Sequence, residues 1–299
     1  MTESAAIDWL HERREHLERS LEARPNPVSA IARLDTSIAG AAHSVPIRVY
    51  GDASSDAAPL IIFLHGGGWV LGDRESHDHI CAWLAERTGI RVVAVEYRLA
   101  PEHEHPAALD DTLTVARHFL SGANEQSSAP VLRAVDAARI ALVGDSAGGH
   151  LAALASDLLA LETPAFSVRS RVLWYPVVDV EQEAESYLEV SDLHTLTGPR
   201  MRQFVETYLP NADLRSDLHA NPYRTAHSRA PETFITTAGR DPLRDEGAAY
   251  ARALETTGVA VEYLHFPEAA HGVVTRALES EDGAAMLDAG VAFLQRTLA

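Results

Sequence analysis

The apolar residues of this 299-residue chain fall into two kinds of stretch. Short, largely apolar runs rich in β-branched residues occupy residues 59–64, 90–97, 140–143, 168–178, 233–238 and 259–266. Such runs predict strands, and those without polar alternation predict strands covered on both faces. Residues 45–50 alternate instead, as a half-buried strand does. Between the runs lie longer stretches with apolar residues at helical spacing. Residues 5–22 carry Ile7, Leu10, Leu17 and Leu21 and stop before Pro25 and Pro27. Residues 76–88 end at Gly89, and helical patterns recur over 107–120, 151–161, 245–258 and 281–298. Strands alternating with helices predict the α/β class: a mostly parallel, doubly wound sheet. Residues 181–229 break the pattern. They are acidic, helical around 200–208, then loop-like with Pro210, Asn211, Asn221 and Pro222. The segment reads as an insertion that forms a lid with the N-terminal helix. Residues 1–299 otherwise read as one domain, without repeats or low-complexity tracts.

Composition changes this picture little. The chain is 46% hydrophobic and 23% charged, as soluble globular domains are. Its formal net charge of −18, with no basic run, argues against nucleic acid or an anionic membrane surface as partner. The single cysteine, Cys81, excludes an internal disulfide and reads as a core residue, and no Cys/His spacing suits zinc. The first residues lack the basic-then-apolar order of a signal peptide, and no run nears the roughly 20 apolar residues of a membrane span. A cytoplasmic protein without membrane insertion is expected.

Candidate chemistry sits at the strand ends. Run 140–143 and helix 151–161 flank Gly144-Asp145-Ser146-Ala147-Gly148, a G-x-S-x-G pattern between strand and helix. A serine on so sharp a turn presents its Oγ, and the glycines leave room for neighbouring elements. The helix that starts there aims its free N–H groups, Ala147 among them, at the same place. An ordinary glycine turn would look similar, so other residues must supply a base, an acid and further donors. Run 59–64 ends in His65-Gly66-Gly67-Gly68-Trp69, whose glycines can turn backbone N–H groups towards an oxyanion. No Gly-Lys-Ser/Thr follows them, as a phosphate loop would require.

Ligands bind at the carboxyl ends of strands in such sheets. The base and acid are therefore expected in loops after strands, in the order serine, acid, histidine. Asp241 follows run 233–238 and His271 follows run 259–266. Asp241 also reads as a helix N-cap before Pro242; Asp245, one turn on, competes for the acid role, and Asp179 is the next alternative. Glu96 and Arg98 read as a structural ion pair or loop anchor. The chemistry expected of the set is attack by Ser146, proton transfer through His271, orientation of His271 by Asp241, and stabilisation of the oxyanion by backbone N–H groups.

His65-Gly-Gly-Gly-Trp-Val-Leu-Gly72, Tyr97-Arg-Leu-Ala-Pro-Glu102, Gly144-Asp-Ser-Ala-Gly-Gly149 and Asp241-Pro-Leu-Arg-Asp-Glu-Gly247 occur in that order. Together they resemble the hormone-sensitive-lipase-like family of α/β-hydrolase carboxylesterases, from about residue 45 to the C-terminus. The resemblance implies the α/β-hydrolase fold, hydrolysis of short-chain acyl esters and no cofactor. It implies a triad of Ser146, Asp241 and His271, and an oxyanion hole of Gly67, Gly68 and Ala147. It also implies a cap from about residues 1–40 and 181–230, a small-molecule ester as substrate, and often a homodimer. Two positions depart from the family pattern: His150 stands where asparagine is common, and Val273 where phenylalanine is. Both bear on pocket shape and substrate preference. An amide or carbamate substrate, or a non-catalytic ligand receptor on the same fold, are the alternative readings.

Overall fold

The computed structural model describes residues 8–22, 29–52, 57–162, 168–190, 196–225, 229–277 and 280–299. Ile7, Pro25 and Pro27, expected at the borders of the first helix, lie outside them.

The strands are β1 (Arg33–Ala39), β2 (Ser44–Tyr50), β3 (Ala58–Leu64), β4 (Arg91–Val95), β5 (Val135–Asp145), β6 (Ser170–Trp174), β7 (Glu232–Arg240) and β8 (Val261–Ala270). They form one sheet in the order β1-β2-β4-β3-β5-β6-β7-β8. β2 runs antiparallel to both β1 and β4, and all other neighbours are parallel. The helices are α1 (Trp9–Glu22), α2 (Asp78–Thr88), α3 (Ala107–Leu120), α4 (Ala147–Glu162), α5 (Ser186–Glu189), α6 (Gly198–Tyr208), α7 (Pro222–Thr225), α8 (Arg244–Thr256) and α9 (Glu281–Thr297). No described helix is long and apolar enough to cross a membrane.

The central strands show why unbroken apolar runs were needed. Successive side chains of a strand point to opposite faces. Leu60, Ile62 and Leu64 of β3 join Leu113 of α3 and Leu151 and Leu154 of α4 in one buried cluster. Ile61 and Phe63 join Ile80 and Leu84 of α2 and Met286 and Leu287 of α9 in the other. Each such side chain, removed fully from water, contributes roughly 1.5–3 kcal/mol. The register places Leu64 opposite Gly144, so the glycine loop after β3 and the serine turn after β5 emerge side by side.

Several borders differ from the sequence expectation. β1 was not anticipated: its residues are mostly exposed or half-buried on the sheet edge, with only Leu34 and Ile38 as large apolar residues. It pairs along its whole length with β2, so the stretch 1–40 is divided between α1 and the sheet. β6 ends at Trp174, because Tyr175 turns the backbone to φ 35°. β8 runs on to Ala270, four residues past the expected end, with a register shift in its pairing to β7 between Ala238 and Arg240. Between β6 and β7 the described residues form α5, α6, α7 and turns, and no strand.

The core also holds a polar group that no apolar pattern foretells. Arg171 of β6 is fully buried, and its Nη1 donates to Asp157 Oδ1 of α4 at 2.8 Å. Its other donors reach Thr233 Oγ1 and the Tyr250 hydroxyl, while Thr225 and Tyr250 donate to Asp157 Oδ2. Breaking a buried pair leaves an uncompensated charge, which costs about 3–5 kcal/mol. Asp157→Asn is therefore expected to lower the urea midpoint by that amount of stability with an unchanged denaturant slope. A loss below about 1 kcal/mol, the scale of an ordinary hydrogen bond, would show that the network is dispensable.

Candidate active site

Ser146 sits between β5 and α4 with φ 54°, a left-handed conformation that costs a non-glycine residue on the order of 1–3 kcal/mol. The turn is held from three sides. Ser146 N–H donates to the Trp174 carbonyl at 2.9 Å, and its own carbonyl accepts from His150 N–H at 3.0 Å and Val177 N–H at 3.2 Å. Two residues on, a Cβ at Gly148 would stand 2.0 Å from the Leu64 carbonyl oxygen. No other residue lets α4 begin this close to β3.

His271 follows β8 directly and precedes a short turn, Val273–Arg276, that Gly272 enters at φ 78°. Its Nε2 lies 2.9 Å from Ser146 Oγ, and its Nδ1 lies 2.8 Å from Asp241 Oδ2. Asp241 follows β7 and is fully buried; its other oxygen accepts from Leu243 N–H at 2.9 Å. Asp241 is thus not the N-cap of α8, a position Leu243 holds. It braces the turn before the helix and faces His271. The competing acids point elsewhere. Asp245 accepts from Arg244 and from Ser186 N–H, and Asp179 accepts from Glu181 N–H and Asn221.

Sequence reasoning missed Tyr175. Its ring centroid lies 4.9 Å from that of His271, and its hydroxyl accepts from Val274 N–H at 3.2 Å. The available signal was an aromatic residue at a strand end before Pro176. Val273 is buried in the core beside Met286 and Ala277 rather than lining the cavity. Glu96 and Arg98 anchor loops with separate partners, Glu96 with Arg74 and Arg98 with Asp111.

The glycine loop lies against the serine turn. Gly66 N–H donates to Asp145 Oδ1 at 2.9 Å, and the Tyr97 hydroxyl donates to the His65 carbonyl at 2.6 Å. His77 Nε2 approaches Asp145 at 3.3 Å. Burial alone would raise the Asp145 carboxyl. The opposing charge interactions with neighbouring histidines, His77 foremost, hold it below the usual range. Burial, reinforced by His77, pushes His65 down to about 4, so it stays neutral and its Nδ1–H donates to the Gly66 carbonyl. Among the described residues, no protein acceptor takes the N–H groups of Gly67, Gly68 or Ala147. Gly68, at φ 61°, lies under α6, where a Cβ would meet the Phe204 ring at 2.3 Å.

Ser146, His271 and the glycine loop open into a cavity of about 540 Å³. Met201 and Phe204 of α6 and Glu12, His16 and Arg19 of α1 are among the residues that line its far side. Burial, reinforced by His77, pushes His16 down to about 4, so this side chain is neutral near pH 7. Arg200 joins the two covering helices. It pairs with Glu12 of α1, and its guanidinium lies 4.8 Å from the Trp9 ring centroid and 4.5 Å from that of Phe204. Arg13 ties α1 to the body through the carbonyls of Val70 and Ala100 and the Glu102 carboxylate. Among the described residues no group of three or more His, Cys, Asp or Glu side chains could hold a metal ion.

Comparison with known proteins agrees with this architecture. A family model described as alpha/beta hydrolase fold matches residues 61–275. Carboxylesterase NlhH of Mycobacterium tuberculosis is 36% identical over 260 residues, covering 85% of this chain and 79% of that protein. An ethyl acetate hydrolase of Pseudomonas putida is 36% identical over 234 residues, covering 77% and 71%. Among solved structures, the thermostable carboxylesterase EstE1, cloned from a metagenomic library, superposes with TM-score 0.90 at 33% identity over 99% of both chains. The sheet order, the four sequence motifs and these likenesses lead to one assignment: the chain belongs to the hormone-sensitive-lipase-like family of α/β-hydrolase carboxylesterases.

Proposed function

We propose that the chain hydrolyses carboxylic esters of short acyl chains through a Ser146–His271–Asp241 triad and an acyl-enzyme. The observation that carries this reading is the bridge made by His271, with one ring nitrogen on Ser146 Oγ and the other on a buried carboxylate. The carboxylate favours the tautomer with the proton on Nδ1, which leaves Nε2 free to accept from Ser146. Attack forms the Oγ–carbon bond while the serine proton passes to Nε2. The imidazolium, stabilised by Asp241, then protonates the departing alcohol. Water then attacks the acyl carbon as its proton passes to the same nitrogen; collapse of this second intermediate breaks the Oγ–carbon bond, returns the proton to Ser146 Oγ and releases the acid.

Negative charge builds on the carbonyl oxygen in both halves of the reaction. The unclaimed N–H groups of Gly67, Gly68 and Ala147 support a hole for it, each donor being worth roughly 3–4 kcal/mol in comparable enzymes. α1 and α6, from the stretches 1–40 and 181–230, act as a cap over a single catalytic domain. Their side chains close the cavity to about 540 Å³, within the ordinary range for small-molecule sites.

Ser146→Ala is expected to fold normally and to lose at least about a ten-thousand-fold in turnover. An unchanged rate in the purified variant would refute the nucleophile.

The two aspartates separate cleanly. Asp241→Asn keeps the shape but favours the wrong imidazole tautomer, which in serine proteases costs about ten-thousand-fold in turnover. Asp245→Asn disturbs an ion pair with Arg244 and should stay within about tenfold of the parent on the same ester. The reverse ranking would move the acid to Asp245.

Specificity should favour 4-nitrophenyl esters with acyl chains of about two to eight carbons, the sizes a cavity of this class encloses. Preferential hydrolysis of emulsified long-chain triglyceride would contradict the cap assignment.

A further inference from the structure

The nucleophile turn and the glycine loop come from different strands, yet catalytic groups must be held to within about 0.5 Å of the productive geometry. Asp145 joins them at Gly66, and a second side chain, from α4, reaches the far end of the loop. His150 lies one helical turn after Ser146, and its N–H donates to the Ser146 carbonyl at 3.0 Å. Its ring is fully buried and uses both nitrogens. The indole N–H of Trp69 donates to Nδ1 at 3.3 Å, and Nε2–H donates to the Ala220 carbonyl at 2.9 Å.

Trp69 is the residue after Gly68. It holds φ 60°, and its carbonyl accepts from Ala100 N–H at 2.9 Å. Its indole stacks on Tyr208 of α6 with ring centroids 4.5 Å apart and planes 9° apart. The His150 ring meets Trp69 edge-on at 4.9 Å. A side chain that only filled space would need neither nitrogen, whereas here one accepts from the glycine loop and the other donates to the insertion. The arrangement requires a neutral ring, and burial supplies it by pushing His150 down to about 3.

We infer that His150 is a positioning residue for the oxyanion hole, holding Trp69, and through it Gly67 and Gly68, at a fixed place relative to Ser146. The inference rests on the hydrolase reading above. His150 touches no reacting atom; it acts through the loop. Its loss should therefore weaken binding of the tetrahedral, negatively charged state more than binding of the ester.

The test uses His150→Phe, His150→Gln, Trp69→Phe and the His150→Phe/Trp69→Phe double variant, each assayed with a 4-nitrophenyl ester and with a trifluoromethyl ketone. The ketone forms a tetrahedral adduct and reports on the hole directly. His150→Phe should lower kcat about 10- to 100-fold, less than outright loss of an oxyanion donor. KM should stay within about threefold, and ketone affinity should fall in parallel with kcat. Glutamine offers both an acceptor and a donor, so His150→Gln should recover most of the loss. Trp69→Phe removes the indole N–H while keeping an aromatic ring, and should reproduce much of the effect. The double variant should be little worse than either single one, as for residues that act as a unit.

Wild-type kcat in folded His150→Phe or in Trp69→Phe would overturn the inference, as would additive losses in the double variant. If His150→Phe fails to fold, Trp69→Phe and His150→Gln decide by the same criteria. Full activity of Ser146→Ala would instead defeat the underlying hydrolase reading. A Ser146-dependent enzyme indifferent to both His150 and Trp69 would defeat this inference alone.

Discussion

The distance between Gly148 and the Leu64 carbonyl governs much of what surrounds it. With only 2.0 Å available for a Cβ, α4 starts hard against the end of β3, and the residue before it must reverse the chain sharply. That residue is Ser146, at φ 54°, and its strain is offset by three backbone hydrogen bonds from β6, α4 and the segment after Tyr175. The parallel register then sets Leu64 beside Gly144, so the glycine loop can stand only next to the serine. Packing of helix on strand thus fixes which backbone N–H groups face the same space as Oγ.

Around this centre the fold replaces water with neutral or paired groups. His65, His16 and His150 are all kept uncharged by burial, and Asp145 is buried against His77 and Gly66. In a chain of net charge −18, an unpaired carboxylate here would oppose the oxyanion that hydrolysis generates. The covering helices follow the same rule. Arg200 is neutralised by Glu12 and lies against the stacked Trp9 and Phe204 rings, and Arg13 is consumed by two carbonyls and Glu102. These links run between α1, α6 and the strand-end loops, so closure of the cavity depends on contacts distant in sequence.

That distance explains which features were legible beforehand. The central strands could be read because a strand buried on both faces must be apolar along its length, as residues 60–64 are. Ser146, Asp241 and His271 could be found because a parallel sheet gathers its strand ends on one edge, and the fold does bring these three within hydrogen-bond reach. β1 could not, since an exposed antiparallel edge needs little hydrophobicity and carries only Leu34 and Ile38. Nor could the partners of charged residues: Glu96 and Arg98 sit two apart, yet one pairs with Arg74 and the other with Asp111. His150 was visible as a departure from a motif, but its bonds to Trp69 and Ala220 span 81 and 70 residues. Local pattern carries periodicity and order; it carries no record of which distant polar atom meets which.

The most direct test of the central claim, that His271 makes Ser146 a nucleophile, is covalent labelling of the unaltered protein. Incubation with a 4-nitrophenyl alkylphosphonate, followed by intact mass measurement and peptide mapping, reads both stoichiometry and position. The account predicts one adduct per chain, located on Ser146, with nitrophenol release and loss of ester hydrolysis in step. An adduct on another residue, or hydrolysis that persists with Ser146 fully modified, would contradict it.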